Sequence, residues 1–252
     1  MPDALSPRHL AQRVVQIAVL VVVAVLLLAT LPGLGDVRER FSDARPGWVA
    51  VALLFEVGSV FSFVVVFRGV FCIKMPWGFS AQVGLSEQAA NVLLPAGGAG
   101  GLALGAWALN RAGMSSGHIA RRSVAFFLIT SSTNFIVAVL AGIGLALGLL
   151  PGSSNLALAA IPAGGALLVI AVVGLLPRLL PDGAAHGDSK IRRAAATVAE
   201  GVRDAGFLVR SGRPSVIGGA IGYLAFDMAS LFAAFHAFGH APVAGDFLLA
   251  YV

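Results

Sequence analysis

From Trp48 to Val70 the chain runs 23 residues with one carboxylate, Glu56, and one arginine, Arg68, close to its end. Coiled as helix at 1.5 Å per residue, such a run covers about 35 Å, enough to cross the roughly 30 Å hydrocarbon layer of a bilayer. Inside that layer the backbone N–H and C=O groups have no water to bond, and a helix satisfies them within its own segment. Four more runs of this kind are predicted at residues 12–31, 123–150, 156–176 and 215–238. A further apolar run, DFLLAYV, starts at Asp246 and reads as a span cut off at Val252. Composition agrees: 58% of residues are hydrophobic and 12% charged, where a soluble domain carries roughly a quarter charged. The expectation is an all-helical polytopic membrane protein forming one membrane domain over residues 1–252.

Residues 12–31 have a second reading as a signal peptide. Their apolar core is long, and LPGLGDVRER after it offers no small-residue cleavage site, so a retained anchor is expected. The net charge of +5 does not point to nucleic acid, because the basic residues lie between apolar runs. With the N-terminus inside, 14 of the 17 lysines and arginines fall on inner segments and only Arg38, Arg40 and Arg45 outside. That asymmetry selects an N-in, cytoplasmic N-terminus.

The same rule constrains 91-NVLLPAGGAGGLALGAW-107. Arg68 and Lys74 precede residues 81–110, and Arg111, Arg121 and Arg122 follow, all on the inner side. The segment must therefore cross twice or turn back. Ala81–Leu94 is 14 residues, about 21 Å of helix, and Leu102–Asn110 is shorter. Neither crosses alone, so a re-entrant hairpin with PAGGAGG at its tip is expected. Proline removes an amide donor and glycines permit positive φ and close backbone approach. Irregular backbone at membrane depth survives when buried in protein or lining a wet cavity, and broken helices of this kind hold substrate in transporters. The other reading is a tight loop between short helices at the inner surface, or glycine packed against a neighbour.

Polar side chains within the hydrocarbon are costly, and each is a candidate site. Ser86, Glu87, Gln88 and Asn91 precede the glycine turn, with Glu87 and Asn91 one helical turn apart. They fit either contact with a headgroup amine or hydroxyl, or hydrogen bonds to the opened backbone of the turn. Pro95, Gly97, Gly98, Gly100 and Gly101 form the turn itself. In the third span stand Thr130, Ser131, Ser132, Thr133 and Asn134. Hydroxyls can bond back to the preceding turn, which makes them weak signals. Asn134, with Thr130 on its face, points to an interhelical contact or a substrate lining. Glu56 and Asp227 lie deep in their spans and either pair with an arginine, stay protonated or carry a proton; Arg68 can snorkel. The glycine pairs Gly101/Gly105, Gly144/Gly148 and Gly218/Gly222 fit close helix contacts. His236 and His240 are placed at the interface. Ser189–Gly212 is an amphipathic helix with Ile191, Ala194, Ala195, Val198, Val202, Ala205 and Val209 on its apolar stripe, expected along the inner membrane surface.

Several chemistries have no signature here. Phosphate-loop, zinc-helix and nucleophile-elbow motifs are absent from the sequence. The one cysteine, Cys72, permits no internal disulfide. Neither a catalytic residue, a metal nor a cofactor is expected.

The stretch SEQAANVLLPAGGAGGLALGAWALNRAGMSSGHIARRSVAFFLITS and the later YLAFDMASLFAAFHAFGHAPVAGDFLLAYV resemble the lysylphosphatidylglycerol synthase transmembrane region, also called the flippase-like family. The resemblance runs from about Trp48 onward. It implies a stand-alone, C-terminally shortened member in a bacterial plasma (inner) membrane. The implied role is movement of aminoacylated or other polar or anionic phospholipids between leaflets. The alternative is a non-catalytic partner presenting lipid to a separate aminoacyltransferase or glycosyltransferase; a homo-oligomer fits either. Two features depart from the family pattern. No charged residue lies between Leu94 and Asn110, where many members carry Gly-Glu and an arginine, and the second proline-glycine motif is not reached.

Overall fold

A computed structural model describes residues 43–93, 99–152, 156–179, 190–239 and 242–251. Their regular structure is entirely helical, with eight helices: α1 (Pro46–Phe71), α2 (Trp77–Leu93), α3 (Ala99–Arg111), α4 (Ser116–Ala146), α5 (Leu156–Leu179), α6 (Lys190–Arg210), α7 (Pro214–Ala237) and α8 (Ala244–Tyr251). Of these, α1, α4 and α7 are long and apolar enough to cross a membrane. The chain is thus a multi-pass helical membrane protein. The expected first span at 12–31 and the hairpin tip at Pro95, Gly97 and Gly98 lie outside the described residues, as does His240.

The centre is the antiparallel pair α1 and α7, the most extensive helix contact in the structure. Its register is fixed at several levels. Near the α1 start, the Arg45 amide donates to the Ala237 carbonyl at 2.9 Å. The Ser230 hydroxyl then donates to Ala52 O at 3.0 Å, and the Ser59 hydroxyl to Tyr223 O at 3.1 Å. Small residues let the backbones approach where lipid supplies no hydrophobic drive between helices. A Cβ on Gly219 would stand 2.7 Å from the Val66 amide nitrogen, and one on Gly222 2.7 Å from the Ser62 hydroxyl. The working pair is therefore Gly219 and Gly222 rather than the expected Gly218 and Gly222; Gly218 has open space at its Cβ position. At the other glycine pairs, Gly144 meets the side chain of Leu150, while Gly148 turns the chain with φ +68°.

Beside this seam, Phe63, Phe67 and Phe71 of α1 meet Phe126 of α4. Phe67 and Phe126 stand edge to face at 5.7 Å, and Phe63 and Phe126 likewise at 5.3 Å. Phe67 and Val66 are fully buried. Arg68 turns back to the loop after α1: its Nε donates to Met75 O at 2.6 Å and its guanidinium lies 4.5 Å over Trp77.

The amphipathic helix α6 packs on α4 through residues of which only Ala205 belongs to the stripe expected to meet the membrane surface. Ala196, Ala199, Ala205 and Leu208 are buried, whereas Val198 and Val209 are exposed. Three contacts set that rotation. A Cβ on Gly201 would stand 2.5 Å from Val124, and Glu200 and Asp204 pair with Arg121 and Arg122 of α4 at 3.4 and 3.5 Å.

Candidate functional site

Helices α2 and α3 pack against each other as a hairpin. At 17 and 13 residues they reach about 25 and 20 Å, short of a crossing. Glycine brings them together. Gly101 lies against the Asn91 side chain and the Glu87 carbonyl, and a Cβ on Gly105 would stand 2.6 Å from Glu87 Oε2. Asn91 Oδ1 accepts from the Gly101 amide at 3.0 Å, satisfying one of the orphan donors at the start of α3. For Asn91, the backbone-bonding role named from sequence is thus present in the fold.

Beside this hairpin opens a cleft of about 390 Å³. Glu87, Gln88 and Asn91 line it from α2, and Thr130, Ser131 and Asn134 from α4. Two polar groups 43 residues apart in sequence therefore face one space. Its apolar walls are Phe63, Leu102, Phe126 and Phe127, with Tyr223 of α7 closing one side. Among the described residues, not one lysine, arginine or histidine lines it.

The polar atoms divide into satisfied and unsatisfied. Thr130 donates to Phe126 O at 2.9 Å, and Thr133 to Thr130 O at 2.6 Å. Those hydroxyls serve their own helix. Gln88 Nε2 donates to the Tyr223 hydroxyl oxygen at 3.2 Å. Asn134 Oδ1, in contrast, is buried with no hydrogen-bond partner among the described residues. The Glu87 side chain is only 5% exposed, and the ion pairs of the described residues, Arg121–Glu200 and Arg122–Asp204, leave it without a cation. Each such group is expensive in an apolar surrounding. Together they present hydrogen-bond acceptors, framed by aromatic faces that attract cations. A group rich in hydrogen-bond donors and positively charged, such as an ammonium, complements them; a phosphate finds no basic side chain among the described residues.

The other expected site residues fall elsewhere. Ser86 is exposed and does not line the cleft, and Gly100 sits half-buried in the first turn of α3. Asp227 lies one helical turn beyond Tyr223, outside the cleft, where it accepts a hydrogen bond from the Tyr251 hydroxyl of α8. Sequence reasoning passed over Tyr223. Its spacing of four residues from Asp227 on one span was the available signal.

The family model described as "Lysylphosphatidylglycerol synthase TM region" matches residues 14–252, nearly the whole chain, and the chain belongs to that family. No curated protein and no solved structure matches it.

Proposed function

We propose that this member of the lysylphosphatidylglycerol synthase TM-region family moves a polar lipid between leaflets, with the amine of its headgroup held in the cleft beside α2 and α3. The observation that carries the reading is the meeting of Glu87, Gln88 and Asn91 with Asn134 in one cleft that no basic side chain lines among the described residues. A lipid translocator must replace headgroup hydration partway across the hydrocarbon, and an unpaired carboxylate with a free amide oxygen does this for an ammonium. The hairpin enters the membrane from the inner side and turns back within it, with the N-terminus cytoplasmic and the bacterial plasma membrane as the location. Aminoacylated phospholipid is the substrate class that the family's name favours.

The test is reconstitution of the full chain in liposomes, following acyl-tagged lysylphosphatidylglycerol and an uncharged lipid across the bilayer. Protein-dependent movement of the amine-bearing lipid, lost in Glu87→Gln, supports the reading. Absence of any movement by folded protein would overturn it. The family description also names a synthase, which favours a second reading: the same cleft presents lipid to a separate transferase. A stoichiometric transferase co-purifying with a chain that moves no lipid would select that reading.

A further inference from the structure

A second space follows the cleft along the line between α3 and α4. The two helices leave a groove of about 300 Å³ whose walls are largely apolar: Leu102, Ala103 and Ala106 from α3, Ile119 and Ala120 from α4. Ala103 and Ala120 are exposed, so among the described residues the groove opens outward. Asn110 and Ser116 stand at its end beside the turn that joins the helices. Their polar atoms are already used there, because Asn110 Nδ2 donates to Met114 O at 3.2 Å and to Ser116 Oγ at 3.1 Å. Ser123 adds a hydroxyl, and no charged side chain lines the groove among the described residues. A headgroup finds little to bond in such a place, whereas hydrocarbon loses nothing.

The groove and the cleft are continuous. Leu102 lines both spaces. On α4 the groove positions Ser116, Ala120 and Ser123 run on into the cleft positions Phe127, Thr130 and Asn134 in steps of three or four. Ser116 and Asn134 are 18 residues apart, about five full helical turns, so they share one face along about 27 Å. The track is therefore apolar at one end and carries a carboxyl and amides at the other, which is the pattern of a lipid. Width decides which part of a molecule fits the apolar end. From Leu102 to Asn110 is about 12 Å of helix, so 300 Å³ spread over that length gives a section of about 25 Å². A helix about 10 Å across needs about 80 Å², which excludes a helix of this chain or of another. Carbon atoms pack about 4 Å apart, and an unbranched chain one methylene wide fits.

We propose that the α3–α4 groove holds one acyl chain of the lipid whose headgroup amine occupies the cleft. The inference rests on the proposed function and deepens it, by assigning a site to a part of the substrate that the cleft does not hold. Bilayer hydrocarbon is as apolar as the groove, so the groove adds little hydrophobic drive. Its effect is orientation: a chain laid along α3 and past Leu102 brings its own headgroup to Glu87 and Asn134.

The test photolabels the full chain in liposomes with lysylphosphatidylglycerol carrying a diazirine in one acyl chain, maps the labelled peptides, and follows movement of the same lipid. Leu53, Leu54 and Val57, exposed on α1, serve as the reference for contact with bulk lipid. Wild type is expected to take label at residues 102–110 and 116–123 several-fold above that reference. Ala103→Phe and Ala120→Phe each put a ring into the groove from an exposed position, one from either wall, so that one serves if the other fails to fold. Each should bring groove labelling down to the α1 level and slow movement several-fold. Glu87→Gln, which releases the headgroup, should lower labelling in the groove and leave that on α1 unchanged. Groove labelling no higher than α1 in wild type, or undiminished in the folded phenylalanine variants, would overturn the acyl site while lipid movement by wild type keeps the function. Groove labelling that depends on Glu87 in a wild-type chain that moves no lipid would support the acyl site and remove the translocating function.

Discussion

The α1–α7 seam and the cleft beside α2 and α3 use the same residue types to opposite ends. In the seam, Ser59 and Ser230 each find a carbonyl on the facing helix, and Gly219 closes onto Val66 with no room for a side chain. In the cleft, among the described residues, Asn134 Oδ1 is left without a hydrogen-bond partner and the Glu87 carboxyl without a cation, around an open space. Satisfied polar groups in a bilayer hold helices together, and unsatisfied ones mark where something else must bind. Seam residues should therefore govern folding and cleft residues movement of lipid.

The largest effect expected is at Gly219. Leucine there would force its Cβ to within 2.7 Å of backbone at Val66, which cannot yield, so Gly219→Leu should abolish recovery of monodisperse protein in detergent. Recovery at wild-type level would break the account of the seam. Phe67→Ala removes a fully buried ring from the aromatic cluster and should cost about 3–5 kcal/mol in reversible unfolding. Movement of lipid per folded molecule should stay near wild type. On the cleft side, Gly105→Val occupies the place of the Glu87 carboxyl, which lies at the flexible end of its side chain and can shift. The variant should fold, and its transport rate in liposomes should fall several-fold. Asn134→Leu sharpens the contrast further: removing a buried acceptor that has no partner can be neutral or stabilising. Its melting temperature should hold or rise while transport slows. Smallest is Ser230→Ala, which loses one hydrogen bond and about 0.5–1.5 kcal/mol of stability.

Much of this arrangement was readable before the fold. Apolar length alone places α1, α4 and α7, since each needs only to match a bilayer. The polar cost argument selects Glu87, Gln88, Asn91, Thr130 and Asn134, and all five line one cleft. The argument is weaker for Ser86, which faces outward, because a residue's depth in sequence does not give its direction around the helix. Rotation is also what the sequence leaves open in α6. Its wheel allows neighbouring apolar stripes, and the choice is made by Gly201 against Val124 and by two ion pairs to α4. Tyr223 was hard to single out for a related reason: an aromatic residue in a span is ordinary, its four-residue spacing from Asp227 is a weak signal, and its meaning comes from Gln88 on another helix. Similarly, nothing local tells Gly219 from Gly218; only the facing Val66 does.

The most direct test of the central claim compares acyl-tagged lysylphosphatidylglycerol with the same lipid acetylated on its amines, in liposomes holding the wild-type chain or Glu87→Gln. If the cleft carries the headgroup by its ammonium, wild type moves the free-amine lipid and leaves the acetylated one, and Glu87→Gln abolishes that preference. Equal movement of both lipids by wild type, or a preference undiminished in Glu87→Gln, would contradict the account.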